Sequence, residues 1–279
     1  AITRLVHRAR ETRIVYNKGM SNLAHQATQA RKSILDLIYR AQSSHVGSNF
    51  SSVEILTVLF DRMDLKKDKF ICSKGWIAAA VYYFLSQKGI LDWNEVYERY
   101  CQEGETEYIG LIEPRGKFGL EAAGGAVGYG LSFGVGMALA KKLKGEEGRV
   151  YILMSDGEMD VGMVWESLLV AAKYKLDNLI AIVDCNGFQA TGITKEVLNL
   201  GDLKNKLRLF NWCATSLDGH NIEQLQWALS KPNLHGPYII LAETVKGKGV
   251  KEFEGKLEWH YRNVSEDIYK QAVLELNVS

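Results

Sequence analysis

The chain has few prolines, only Pro114, Pro232 and Pro237, and its four cysteines form no Cys-x-x-Cys pair. Scarce proline excludes a proline-rich linker. Unclustered thiols at Cys72, Cys101, Cys185 and Cys213 give neither a disulfide framework nor a cysteine zinc site, and suit free thiols in a reducing cytosol. No run of about twenty apolar residues is present, so no membrane-spanning helix is expected. Neither sign of charge is in surplus, with 34 Lys and Arg against 33 Asp and Glu. No basic run is interleaved with aromatics, so there is no electrostatic case for nucleic acid. Lys66-Lys67 and Lys141-Lys142 read as solvated faces. Residues 1–21 carry Arg4, Arg8, Arg10, Arg13 and Lys18 without a continuous apolar core, which argues against a cleaved secretory leader. They read as an N-terminal extension, and residues 22–279 as one domain.

What is present is alternation of short apolar runs with helical segments. Val150 to Met154 and Leu179 to Val183 are compact, β-rich runs bounded by Gly, Asp or Asn, and Met163 to Lys175 between them has helical composition ending in cations. This is one βαβ unit, which places both strand ends on one edge of a parallel sheet. A long helix is expected from about Asn22 to Gln42, with Ala24, Ala27, Ala30, Ile34, Leu37 and Ile38 on its buried stripe. The expected fold class is α/β, a mainly parallel sheet with helices on both faces. The segment Leu65 to Phe118 is the least regular and is expected to supply loops.

Ser155-Asp156-Gly157 follows the first strand and Asn186 follows the second, thirty residues after the aspartate. Mg²⁺ prefers hard oxygen ligands, often one or two side chains with phosphate and water completing the shell. Asp156 offers charge, Asn186 a neutral carbonyl and the backbone carbonyl of Phe188 a third oxygen, while Gly157 lets the main chain approach a phosphate. Either polar residue alone is more simply a helix cap or a turn residue. Together, on two strand ends, they suit a metal-bound diphosphate. Gly124 to Gly130 is glycine-rich and opens an apolar helical run, a weak signal for a backbone cradle.

The Asp-Gly and Asn pair is similar to the thiamine diphosphate signature, with Ser155 in place of its first glycine. Further segments resemble the N-terminal, diphosphate-binding half of transketolases: Ser44-His45-Val46-Gly47, Trp165-Glu166-Ser167, Tyr174 to Asp184, Asp218-Gly219-His220 and Thr244 to Val250. The resemblance covers roughly residues 22 to 275. It implies the thiamine diphosphate-binding fold, with Asp156, Asn186 and Phe188 on Mg²⁺, for which Ca²⁺ or Mn²⁺ can substitute. It also implies Gly125, Val127, Gly157, Glu158 and His260 at the cofactor, with His45 and His260 acting in catalysis. His45 is expected to act as a hydrogen-bond donor or acid/base near neutral pH. His7, His25 and His235 are expected at the surface, and His220 and Cys185 in structural roles.

Transketolases continue into a second α/β domain that holds the glutamate activating the cofactor, whereas this sequence stops at Ser279. The resemblance therefore implies one subunit of a split enzyme, pairing with a separate C-terminal transketolase-like subunit, expected as an α2β2 heterotetramer in the cytoplasm. Its expected reaction is transfer of a ketol unit between small sugar or carbonyl substrates. Three positions depart from the family pattern. Val161 stands where a glutamate is usual, Ser73-Lys74-Gly75-Trp76 replaces Ser-Asn-Gly-His, and Gly110-Leu111-Ile112 replaces Gly-His-Pro. These changes predict a less polar or differently shaped substrate. Two other readings stand beside this one: a 2-oxo acid dehydrogenase α-type subunit, and a noncatalytic or regulatory scaffold of the same fold.

Overall fold

The computed structural model describes residues 22–104, 106–122, 124–231 and 235–278; the expected N-terminal extension lies outside them. Helix α1 spans residues 22–40, two residues short of the expected end. Gln42 takes a left-handed conformation (φ 46°) and the amide of Ser43 bonds the carbonyl of Ile38 at 3.1 Å, so the last turn closes on itself and points the chain toward His45. Ala27, Ala30, Ile34, Leu37 and Ile38 are buried as expected. Ala24 is exposed and Leu23 takes the core position instead.

Two short helices follow, α2 (Val46–Ser51) and α3 (Val53–Arg62), then strand β1 (Lys69–Cys72), a 3₁₀ turn at Gly75–Ile77, α4 (Ala78–Gln87) and α5 (Trp93–Arg99). The supposedly irregular segment thus contains a strand and two helices. β1 carries no alternation in the sequence because it is four residues long and three of them are buried. Helix α6 (Tyr129–Lys144) leads to β2 (Val150–Ser155), a 3₁₀ turn (Asp156–Asp160), α7 (Gly162–Lys173) and β3 (Leu179–Cys185). Then come α8 (Thr194–Val197), α9 (Leu203–Leu209), β4 (Cys213–Asp218), α10 (Ile222–Ser230), β5 (Tyr238–Glu243), a 3₁₀ turn (Leu257–His260) and α11 (Glu266–Val278).

The five strands are all parallel, in the order β1-β2-β3-β5-β4. Alternate residues of β2 enter different cores. Tyr151 and Leu153 join the aliphatic and aromatic side chains of α1, α3 and α4, whereas Val150, Ile152 and Met154 join those of α6 and α7. Helices therefore cover both faces, and strands buried on both sides read as continuous apolar runs. The α/β expectation holds.

Gly134 shows how closely α6 lies on the sheet. A Cβ there would sit 2.2 Å from Cδ1 and 2.8 Å from Cγ1 of Ile152, so any larger residue would make the Ile152 side chain shift. Lys141 is a correction. It is buried on α6 and ion-paired with Glu146 at 3.7 Å, while Lys142 is exposed and bonds Asp177. The described cysteines are free, and among the described residues no helix is long and apolar enough to cross a membrane.

Candidate active site

The carboxyl ends of β1, β2 and β3 open on one cleft of about 230 Å³. β2 runs directly into Asp156 and β3 into Asn186, and the register Ser155 to Asp184 sets these ends side by side. Asp156 is buried. Its Oδ1 accepts from the amide of Gly157 at 3.0 Å, and its Oδ2 accepts from the amide of Gly187 at 2.8 Å and Thr194 Oγ1 at 2.9 Å. Burial, and then the nearby Asp184 carboxylate, push its carboxyl up to about 6. Asn186 is also buried, its Oδ1 accepting from the amide of Phe188 at 3.1 Å. Carboxylate oxygens of Asp156 and the amide oxygen of Asn186 thus lie at two adjacent strand ends, Asn186 lining the cleft and Asp156 beside it. Among the described residues no group of three or more His, Cys, Asp or Glu could hold a metal by itself, so any cation here would draw on amide, backbone and ligand oxygens.

Gly157 is needed for closeness. A Cβ there would come within 2.9 Å of Cγ of Gln189, whose Nε2 reaches across to Asp160 at 2.5 Å. Glycines do similar work at the β1 end, where a Cβ on Gly75 would lie 2.1 Å from the carbonyl oxygen of Gly124. Gly128 adopts φ +86° under Val161, the side chain that stands where glutamate was expected.

Glu158 does more than sequence reasoning gave it. Its fully buried carboxylate accepts from Ser73 Oγ, from the amide of Gly128 at 3.1 Å and from the amide of Ser155 at 2.7 Å. Burial raises its pKa while these donors lower it. One side chain thus ties the ends of β1 and β2 to the start of α6. It lines the cleft, but its oxygens are spent on the protein.

His45 caps α2 in a left-handed conformation (φ 69°, ψ 22°), a strained state for a non-glycine residue. Ser44 Oγ lies 2.6 Å from its Nδ1, while its buried Nε2 has no partner among the described residues. Burial, then Lys246 and Lys74, lower its pKa to about 4, well below the neutral range expected from sequence. His260 behaves likewise, lowered to about 3 by burial, Lys246 and His45. Both imidazoles are therefore neutral at pH 7.

Two lysines at the site carried no sequence signal for a charged cluster. Lys74 is buried, with Nζ 2.5 Å from Oδ2 of Asp184, 3.1 Å from both Ser51 Oγ and Ser52 Oγ, and 2.9 Å from the carbonyl of Ser48. Burial would raise the Asp184 carboxyl, but Lys74 and the hydrogen bonds around it hold it below the usual range. Lys246 is 1 % exposed, and its Nζ donates to Ser48 Oγ at 3.1 Å and to Nδ1 of His260 at 3.2 Å, with no carboxylate within ion-pair distance among the described residues. Burial, and then Lys74, lower its pKa to about 8. Lys246 does not itself line the cleft: its ammonium, held among the described residues by neutral groups, lies behind Ser48 and His260, which do, and gives that end of the cleft a positive field that suits an anion.

Phe188, Val127, Gly157 and His260 line the cleft with Asn186, whereas His45, Asp156 and Gly125 sit beside it. Gly125 is exposed over Leu111. His220 is structural as expected, bridging Glu54 at 2.9 Å and the amide of Val245 at 2.8 Å. His25 and His235 are exposed, and His7 lies outside the described residues.

The family model described as "Transketolase, thiamine diphosphate binding domain" matches residues 24–276. The chain is 33% identical over 271 residues to one of the subunits of the apulose-4-phosphate transketolase of Phocaeicola vulgatus, covering 92% of this chain and 95% of that protein. It is 35% identical to the 6-deoxy-6-sulfo-D-fructose transketolase subunit SqwG of a Clostridium species, covering 91% and 96% respectively. Human transketolase is 31% identical, but only 42% of its length is covered. Among solved structures, transketolase of Campylobacter jejuni superposes with a TM-score of 0.84 at 26% identity, covering 92% of this chain and 43% of that one.

Proposed function

The chain belongs to the transketolase family, whose thiamine diphosphate-binding domain it spans, and we propose that it is the N-terminal subunit of a two-subunit transketolase. The complete enzyme would move a two-carbon ketol unit from a ketose-type donor to an aldehyde acceptor. The observation that carries this reading is the pairing of Asp156 and Asn186 on the ends of adjacent parallel strands, near a buried ammonium that has no carboxylate partner among the described residues. The split is supported by coverage, since relatives named as subunits are spanned almost entirely while full transketolases are spanned by less than half. A reducing cytosol and an α2β2 assembly suit this reading.

In this reading Asp156 Oδ, Asn186 Oδ1 and the carbonyl of Phe188 hold Mg²⁺. The hard, oxygen-only donor set fits that ion, and two side chains are as many as it usually takes when phosphates supply the rest. Thiamine diphosphate, when bound, supplies the electron sink that lets a carbon–carbon bond next to a carbonyl break and re-form. Gly157 gives the diphosphate room, Lys246 meets its charge, and Gly125 and Val127 border the organic part. Glu158 serves the cofactor by holding the glycine-rich segment in place. Neutral His260, which lines the cleft, carries its ring hydrogen on Nε2, and His45 Nε2, beside the cleft and without a partner among the described residues, is a group that could hold or pass a proton at a substrate oxygen. The activating glutamate comes from the partner subunit.

The test is titration of thiamine diphosphate with Mg²⁺ into the chain co-purified with its C-terminal partner, followed by a ketol-transfer assay. Saturable, Mg²⁺-dependent binding that disappears in Asp156→Ala supports the reading. Unchanged binding in that variant rejects the assigned metal site.

A further inference from the structure

The Asp218-Gly219-His220 turn at the end of β4 does not line the cleft, yet it meets the segment that carries Lys246. Gly219 donates its amide to the carbonyl of Glu243 at 2.7 Å, and a Cβ on it would lie 2.4 Å from Cγ2 of Thr244, so glycine lets the two segments approach this closely. Asp218 Oδ1 accepts from the amide of His220 at 2.9 Å and fixes the turn. His220 Nε2 then accepts from the amide of Val245 at 2.8 Å. An amide nitrogen can only donate, so the ring hydrogen of His220 sits on Nδ1, which donates to Oε2 of Glu54 at 2.9 Å. Burial alone would raise the Glu54 carboxyl, but the Arg31 guanidinium and the His220 hydrogen bond hold it down at about 2. Arg31 on α1 grips both Glu54 oxygens, at 2.6 and 2.7 Å, and donates through Nε to the carbonyl of Lys248 at 2.7 Å.

Lys246 lies between these two holds. The amide after it, on Gly247, bonds the backbone carbonyl of Gly47 at 2.9 Å, whereas the amide before it, on Val245, has a side chain for its partner. Resting on the transketolase reading above, in which Lys246 meets the diphosphate charge, we propose that His220 is a positioning residue for Lys246. By holding the Val245 amide it keeps the backbone under Lys246 fixed from both sides. A lysine stem is long and flexible, so its ammonium keeps to one partner only when its base is held. A slack base lets Nζ leave Nδ1 of His260, and the ring hydrogen of His260 is then free to sit on either nitrogen.

The experiment enriches histidine with ¹⁵N in the full chain and reads the two ring nitrogens of His260, assigned by their loss in His260→Asn. The native chain is expected to show one tautomer, with hydrogen on Nε2. His220→Leu removes the acceptor while leaving Glu54 paired with Arg31, and is expected to give a mixture of tautomers. His220→Gln offers an amide oxygen to Val245 and is expected to keep one. A merely structural role would lower the urea midpoint of both variants without moving the His260 signals. In the complex with the C-terminal partner, thiamine diphosphate affinity is expected to fall about fivefold in His220→Leu, the worth of one neutral hydrogen bond, and less than about twofold in His220→Gln. A single Nε2–H tautomer in His220→Leu, an affinity there within about twofold of native, or the same mixture in His220→Gln overturns the assignment. A native complex that binds no thiamine diphosphate overturns the transketolase reading and the cofactor role of Lys246, while a tautomer mixture in His220→Leu still supports its positioning by His220.

Discussion

Lys246 places its Nζ 3.2 Å from Nδ1 of His260. An ammonium can only donate, so Nδ1 must accept and the ring hydrogen sits on Nε2. One buried lysine therefore fixes both the tautomer and the direction in which His260 can donate.

Replacing Lys246 by methionine keeps the volume and removes the donor. Loss of a charge-assisted bond costs about 1.5–3 kcal/mol, so thiamine diphosphate affinity should fall by roughly one to two orders of magnitude in calorimetry. A further signature belongs to the unliganded protein. The Lys246 pKa lies at about 8 against an ordinary 10.5, so between those values the unfolded chain binds the extra proton. Stability should rise with pH across that window, and this rise should shrink in Lys246→Met when urea midpoints are compared.

The Asp156 carboxyl is raised to about 6 by burial and by Asp184. Since its folded pKa exceeds the unfolded value of 3.8, the stability that protonation lends is full below pH 3.8 and lost as pH rises through 6. A cation needs the deprotonated form, so Mg²⁺-dependent cofactor affinity should be level above pH 6 and fall about tenfold per unit below it. Flat affinity from pH 7 down to 5 would show that Asp156 is not a ligand.

Lys74 and Asp184 are 110 residues apart and meet at 2.5 Å with both side chains buried. Removing one partner strands a charge, so Lys74→Met should cost about 3–5 kcal/mol in chemical denaturation. The double change Lys74→Met with Asp184→Leu should cost less than the sum of the two single changes, because no uncompensated charge then remains.

Gly75→Ala would drive a Cβ to 2.1 Å from the carbonyl oxygen of Gly124. Neither backbone can yield without moving the segment that Glu158 ties down. Hydrogen exchange over residues 124–130 should accelerate, and cofactor affinity should fall together with it. Glu158→Ala should have the same effect on exchange by freeing the amide of Gly128, at a stability cost of about 1–3 kcal/mol for each donor left unmet.

The sequence by itself determined the two strands that carry Asp156 and Asn186, the helix between them and the packing stripe of most of α1. Each of these rests on local periodicity or on a residue placed at a strand end, which the chain specifies without knowing what lies across from it. Tertiary structure decided the rest. β1 became visible only by pairing with β2, because four residues buried in a parallel sheet show no alternation. Glu158, expected at the cofactor, lines the cleft and is also a brace because Ser73 and Gly128 arrive from different elements to bond it. Lys74 and Lys246 look like any surface lysine until Asp184 on β3 and His260 on the last 3₁₀ turn are brought to them. The indole of Trp76 covers His45 because the turn after β1 and the start of α2 converge on the same sheet edge. Burial of a charge or a ring depends on partners remote in sequence, and no spacing along the chain records which partner will come.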